Sequence, residues 1–480
     1  MKCKFVKAGI IVAGFWCGAT AMGQEQPTRP QSQSGVFQSR FEQALAEPTD
    51  GQIIPVQCVP ACAAPAAPGC GPAASAGCAP AAAGCNGGPG GGPQGCNGAQ
   101  GCNGAGPDAA APPCETPWTL MELFDRPCCG GNWMKDAGIT VAGWLDMGYQ
   151  SEADGSFCGN GPFLDDAEWR ALNTNQLYVY AEKIADGSKG FGWGFRADVF
   201  YGVDGNEGQS FGNNPGRFDY LNGWDRGIHE FAMPQLYGEV AIDKLSIKAG
   251  HFYTIIGYEV VPTLGNFFLS RQITFWNSEP FTHTGALATY KATDKVIVSG
   301  GWVLGWDTGF DQFNDGSAGL ASVAYNPSDK TSFIIYSCFG NQGWRGDGGV
   351  TGLIASHKWT DKLMSVHQFD VFDSDLDVDF KVDGLAGDSI GFINYLFYEI
   401  NAKWKAGARL EWYRPDATSF YTFTYGLNYK PRSYLTIRPE IRHIWSSSAE
   451  LGGPAGSIAD NVANVYDNNT VVGVDAVFTF

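Results

Sequence analysis

The chain has 480 residues, 44% hydrophobic and 14% aromatic, with 17% charged residues against the ~25% of an average soluble domain. A mean hydropathy of −0.15 excludes a helical membrane transporter, which needs many long apolar runs. A formal charge of −18, from 31 basic and 49 acidic residues, argues against nucleic acid as a partner, because phosphate binding needs clustered Lys and Arg.

Residues 1–23 read as a secretory signal peptide. Lys2, Lys4 and Lys7 make a basic start, and Ala8 to Met22 form an apolar core too short for a typical spanning helix. Ala21-Met22-Gly23 offers small residues for cleavage. Cys17 raises a lipoprotein alternative, against which stands the bulk of Trp16. No later stretch approaches 18 consecutive apolar residues, so no spanning helix is expected in the mature chain.

Residues 24–115 form a low-complexity, Cys-rich segment expected on the periplasmic side. From Gly51 to Pro107 there is no charged residue, and Ala, Gly, Pro and Cys fill 45 of the 57 positions. Such a stretch buries too little apolar surface to offset its ordering entropy and is expected to be disordered. Cys58, Cys62, Cys70, Cys78, Cys85, Cys96, Cys102, Cys114, Cys128 and Cys129 are disulfide candidates, since export implies an oxidising compartment. The lack of a Cys-x-x-Cys pair weakens a zinc reading. Two readings stand: a spacer with incidental internal disulfides, or a tether whose thiols cross-link to envelope partners. Residues 116–137 are a short linker. Its amphipathic stretch, Pro117–Phe124, is suited to packing against the C-terminal domain or to plugging or rimming its mouth.

From Gly138 to Phe480 the pattern turns to period two. In the first strand Ile139, Val141, Leu145, Met147 and Tyr149 share a face opposite Thr140, Trp144, Asp146 and Gln150. Later Phe195, Ala197, Val199 and Tyr201 oppose Arg196 and Asp198. A charge on a lipid face costs about 2–4 kcal/mol at the midplane, which turns the apolar face outward and puts Asp146, Arg196 and Asp198 in the lumen. Strands are predicted to begin near Ile139, Thr174, Phe191, Phe231, Leu245, Thr282, Lys295, Ala318, Lys330, Val350, Lys362, Ser389, Ala406, Ser419, Ser433 and Thr470. Short turns and longer loops alternate between them, as periplasmic turns and outer loops should, with both ends on the periplasmic side. The expected fold is all-β: a transmembrane antiparallel up-and-down barrel of about 16 strands. Tyr149, Tyr290, Trp302, Trp306, Tyr325, Trp359, Trp404, Trp412 and Trp445 suit interfacial girdles. The last strand alternates Val472, Val474, Ala476, Phe478 and Phe480, and its terminal Phe478 and Phe480 look like the sorting signal of bacterial outer-membrane barrels.

Several segments resemble a β-barrel porin family described as OmpL-like. They are Gly143 to Tyr149, Ala249 to Tyr253 with Gly257 to Glu259, Glu279 to Gly285 with Tyr290, Gly407 to Tyr413, and Leu435 to Arg442. The likeness spans roughly residues 116–480, omits the Cys-rich segment, and departs at Arg442-His443-Ile444-Trp445, where an acidic residue is expected before the Trp. It implies an outer-membrane location and passive diffusion. It transfers no catalytic or ligand residue.

The third outer loop, Ile255–Phe281, looks like the counterpart of the loop that narrows 16-stranded general porins. Its charges are Glu259, Arg271 and Glu279. On the wall, Arg196, Lys248, Arg409, Arg438 and Arg442 stand against Asp146, Asp198, Glu239, Glu411 and Glu440. Two readings are open for this set: a transverse field that sorts solutes by charge, or paired lumen ions with structural roles. Asp373, Asp375, Asp377 and Asp379 alternate in one outer loop, but without the closing Glu of a Ca²⁺ loop. The six dispersed His support no metal site, no nucleophile elbow occurs, and neither an enzyme nor a cofactor is expected. The predicted function is a porin passing small hydrophilic solutes or ions across outer-membrane lipid, with a homotrimer among the partner expectations. The alternatives are a structural envelope protein anchored by its barrel and cross-linked through its cysteines, and a substrate-specific channel.

Overall fold

The computed structural model describes residues 119–125, 131–151, 171–214, 216–376, 386–416, 418–446 and 469–480. The signal peptide, the Cys-rich segment, all ten disulfide candidates (Cys128 and Cys129 of the linker included), Cys158, Asp377 and Asp379 lie outside the described residues. Sixteen antiparallel strands close into one barrel, each paired with its chain neighbours. They are β1 (Thr140–Gln150), β2 (Asn173–Lys183), β3 (Phe191–Gly202), β4 (Glu230–Ile242), β5 (Leu245–Tyr253), β6 (Thr282–Lys291), β7 (Val296–Val303) and β8 (Ser317–Ser328). There follow β9 (Thr331–Asn341), β10 (Asp347–Lys358), β11 (Leu363–Ser374), β12 (Asp388–Asn401), β13 (Trp404–Pro415), β14 (Phe420–Arg432), β15 (Leu435–Ser446) and β16 (Asn469–Thr479). Every predicted start lies within three residues of an observed one. Among the described residues no helix is long and apolar enough to cross a membrane.

The faces sort as the cost of charge in hydrocarbon requires. Val240, Ile247, Ile335, Leu353, Phe369, Phe392, Leu410, Phe423 and Val474 are exposed, while Asp146, Arg196, Asp198, Arg409 and Glu411 are buried inside. Leu353 sits mid-strand between Ile335 and Phe369. Leu353→Arg should therefore cost the folded barrel about 2–4 kcal/mol in lipid. Urea titration of vesicle-inserted protein measures it, and an unchanged midpoint would contradict the outward face.

The seam joins β1 to β16. Gly143 and Phe480 exchange two backbone hydrogen bonds, each 3.0 Å. A Cβ at Gly143 would stand 2.7 Å from the Phe480 ring, so the terminal aromatic covers a glycine in the adjoining strand. The register runs from Trp144↔Thr479 to Gln150↔Gly473, leaving Thr140 to Ala142 without a strand partner on that side among the described residues. There the linker packs: the Val141 N–H reaches Met121 Sδ at 3.1 Å, and Phe124 and Trp133 meet edge to face at 5.5 Å. The amphipathic stretch thus covers a strand edge, which is a standing liability when open.

Two expectations are corrected. Trp306 is no girdle residue: it is 3% exposed, with Arg345 and Phe372 each 5.3 Å from its ring. The Trp306 N–H donates to Gln342 O and its carbonyl accepts from Trp344 Nε1, which ties Trp306 into the interior and away from the interface. Asp373 belongs to β11 rather than to a loop, and faces Asp388 in register. Tyr149, Tyr290, Trp302, Tyr325 and Trp359 are exposed, as girdle residues should be.

Candidate pore constriction

The chain between β5 and β6, residues 254–281, turns inward and holds a short helix, Ile273–Ser278. A segment away from any sheet must find partners for its backbone N–H and C=O groups. Part of the answer is local. Asn266 accepts the Val260 N–H at 2.9 Å and donates to Pro262 O at 3.2 Å. Arg271 donates to the carbonyls of Val260, Leu269 and Val261 at 3.1, 2.8 and 3.0 Å. It staples the loop to itself.

The rest comes from the wall. On a strand, residues i and i+2 share a face, so Arg409 and Glu411 on β13, and Arg438, Glu440 and Arg442 on β15, point inward together and are buried. The arginines take loop carbonyls. Arg409 donates to Ser270 O at 2.9 Å and to Arg271 O at 3.2 Å, and pairs with Glu259 at 2.5 Å. Arg438 donates to Thr263 O and Asn266 O, both at 2.9 Å, while also binding Asp475 and lying 3.7 Å from Asp146. The glutamates take loop N–H groups. Glu440 accepts from Leu269 at 2.7 Å and Ser270 at 3.2 Å. Glu411 accepts from Ile273 at 2.9 Å and Thr274 at 2.8 Å, satisfying N–H groups that a helix start leaves without intrahelical partners. Hydrogen bonds to charged groups contribute about 1.5–3 kcal/mol each.

Uncharged amides complete the grip. Gln368 accepts from Tyr258 N–H and Gln272 Nε2, both at 3.1 Å, and donates to Glu279 and Asp370 at 2.5 Å each. Gln176 accepts the Thr263 N–H at 3.1 Å and donates to Val261 O at 2.7 Å. Sequence reasoning singles out neither glutamine, nor Asp370 nor Asp475. Inward parity is their only signal, and a neutral amide carries no field to argue from. Burial holds the Glu279 carboxyl well above the ordinary range, and the neighbouring Asp370 adds to the effect.

Arg196 binds Asp198 at 2.5 Å and Glu182 at 2.6 Å, over the Tyr180 ring at 3.8 Å. Glu239 and Lys248 face each other in the β4–β5 register, with Lys248 4.7 Å from the Phe252 ring. Arg442 is buried between Thr424 and Val471 in register. His283 donates from Nδ1 to Gly305 O at 2.9 Å, and its Nε2 meets Thr254 Oγ1 at 2.8 Å beside the loop's start. Among the described residues no three His, Cys, Asp or Glu side chains are grouped to hold a metal ion.

The level of the loop is dry. Arg409 and Gln368 are 0% exposed and Glu411 1%. Across from them Leu287, Val303, Leu320, Ile354 and Val366, from β6, β7, β8, β10 and β11, join Phe267, Phe275 and Trp276 of the loop in one apolar cluster. Polar wall holds the loop's backbone, and apolar wall packs its side chains.

A family model described as beta-barrel porin-2, OmpL-like, matches residues 138–480. No curated protein matches. Among solved structures, an anion-selective porin from Comamonas acidovorans is similar at 12% identity over 71% of this chain and 99% of that one, with a TM-score of 0.47. A triple mutant of the Rhodopseudomonas blastica porin is similar at 14% identity over 71% and 100%, with a TM-score of 0.43. A loop-deletion mutant of OmpT, an outer membrane protein of Vibrio cholerae, is similar at 11% identity over 71% and 99%, with a TM-score of 0.44.

Proposed function

We propose a passive channel for small hydrophilic solutes and ions, on a plain premise: this chain belongs to the beta-barrel porin-2, OmpL-like family. The observation that carries the reading is the closed barrel of 16 strands, apolar outside and charged inside, with the third loop drawn inward beside buried residues of other loops, Phe211, Tyr220, Trp306 and Trp344. The family and the fold are those of an outer-membrane channel rather than an enzyme. The third loop, with Glu259, Arg271 and Glu279, and the wall set Asp146, Arg196, Asp198, Glu239, Lys248, Arg409, Glu411, Arg438, Glu440 and Arg442, is the constriction in this reading. Residues 1–23 direct export, residues 24–115 are a periplasmic tether, Phe478 and Phe480 serve sorting, and the working unit is a homotrimer.

The dry loop level supports a second reading, in which the barrel anchors an envelope layer cross-linked through the cysteines. Reconstitution in planar bilayers separates the two. Purified full-length protein should give discrete current steps in salt, and the steps should block or slow with larger uncharged solutes. A protein that inserts and never conducts, while forming reducible high-mass species on gels, is the anchor.

A further inference from the structure

The attachment of the third loop is made from the wall to the loop's backbone. That arrangement holds a loop in place without building it into the sheet. Beside Gln176 and Gln368, four charged wall side chains carry it: Arg409 and Arg438 on carbonyls, Glu411 and Glu440 on N–H groups. All four are buried, as is nearly the whole loop, and a water-filled path at this level would leave its lining wet. The two roots of the loop meet at Gly257. Its φ is +84°, and a Cβ there would stand 2.0 Å from Glu279 Oε2, so the chain bends sharply where it enters beside where it leaves. The loop thus lies across the lumen, beside Phe211, Trp306 and Trp344 of other loops, and is fastened by reversible polar bonds.

We propose that Glu411 and Glu440 are positioning residues of a gate: they hold the third loop shut across the lumen, and solutes pass when the loop leaves them. The gate rests on the channel reading and adds to it a closed state with named fastenings. Glutamine at either position keeps the side chain's size and one accepting oxygen, but loses the charge and the paired acceptance of two N–H groups. The shut state should weaken and the open state should not.

The test is single-channel recording of the full-length protein in planar bilayers, for the wild type, Glu411→Gln, Glu440→Gln and the double variant. Glu182→Gln serves as the control, since Glu182 bonds Arg196 on the wall away from the loop. The wild type should open rarely and briefly. Each loop-holding variant should raise the open-to-closed ratio about tenfold or more, the weight of one charge-assisted hydrogen bond, with unchanged current through the open channel. Glu182→Gln should leave that ratio alone. Heat-modifiable gel mobility identifies any variant whose barrel fails to form, and the remaining single variant then carries the test. A wild type that stays steadily open overturns the gate and leaves the channel standing. Variants that alter the unit current but not the open fraction overturn it as well, because the glutamates would then line the path rather than hold the loop. Silence from the wild type and from the double variant alike, with folded barrels, removes the channel reading itself.

Discussion

Arg409→Ala is expected to release the third loop more completely than any other single truncation in the lumen. The guanidinium is fully buried, pairs with Glu259 at 2.5 Å and holds the carbonyls of Ser270 and Arg271. Breaking a buried ion pair from one side costs about 3–5 kcal/mol, because the partner is left charged and dry. The cost falls on the docked loop first, since the loop can move its Glu259 to water while the sheet keeps its ladder. Limited proteolysis should cut Arg409→Ala within residues 254–281 while the barrel remains protected, and the wild type should resist. Replacing both partners, with Arg409→Met and Glu259→Leu, should restore only part of the protection, since no lone buried charge remains but the Ser270 and Arg271 carbonyls and the Gln272 N–H lose these partners. Equal cleavage rates for the wild type and Arg409→Ala would show that the pair does not hold the loop.

The second large effect is a dependence on pH through Glu279. Its carboxyl is buried at the loop's exit, with Asp370, Glu259 and Glu411 as its charged neighbours of like sign. Tyr336 donates to that Asp370, and Arg409 is taken up by Glu259. Burial, then Asp370, raises the carboxyl above its ordinary value of 4.5. A raised acid favours the docked loop while it is protonated, so its contribution is complete below 4.5 and is lost as the pH climbs through the raised value. A tenfold change in proton activity is worth about 1.4 kcal/mol per proton taken up. Hydrogen exchange of residues 257–281, corrected for intrinsic rates, should therefore quicken as the pH rises above 4.5. Glu279→Gln should stay protected across that range, being neutral throughout. A variant with the same slope as the wild type would move the titration to another group.

Much of the architecture is legible in the order of residues alone. The run from Phe195 to Tyr201 places Arg196 and Asp198 inside because hydrocarbon rejects a charge wherever the strand happens to be. The same rule, applied strand by strand, locates every start to within three residues, while the third loop stands out through its likeness to that of general porins. The wall charges are legible for the same reason. Their partners are not. Glu440 and Leu269 are 171 residues apart, and Gln368 and Glu279 are 89 apart. Gln176 and Gln368, which hold as many loop groups as some of the charges, leave no mark beyond their parity.

The amino-acid sequence by itself determined a barrel of about 16 strands, the places where they start and the face each strand shows to lipid. Those features follow from a solvent that acts on each segment locally, at a period of two. Only the tertiary structure decided what the inward charges do. Closing the sheet staggers and tilts sixteen strands together. That stagger brings Arg409, Glu411, Arg438 and Glu440 level with the loop's backbone. Charges equally suited to an open, wet pore become the fastenings of a dry one, because a buried N–H or carbonyl takes the nearest partner that the sheet presents.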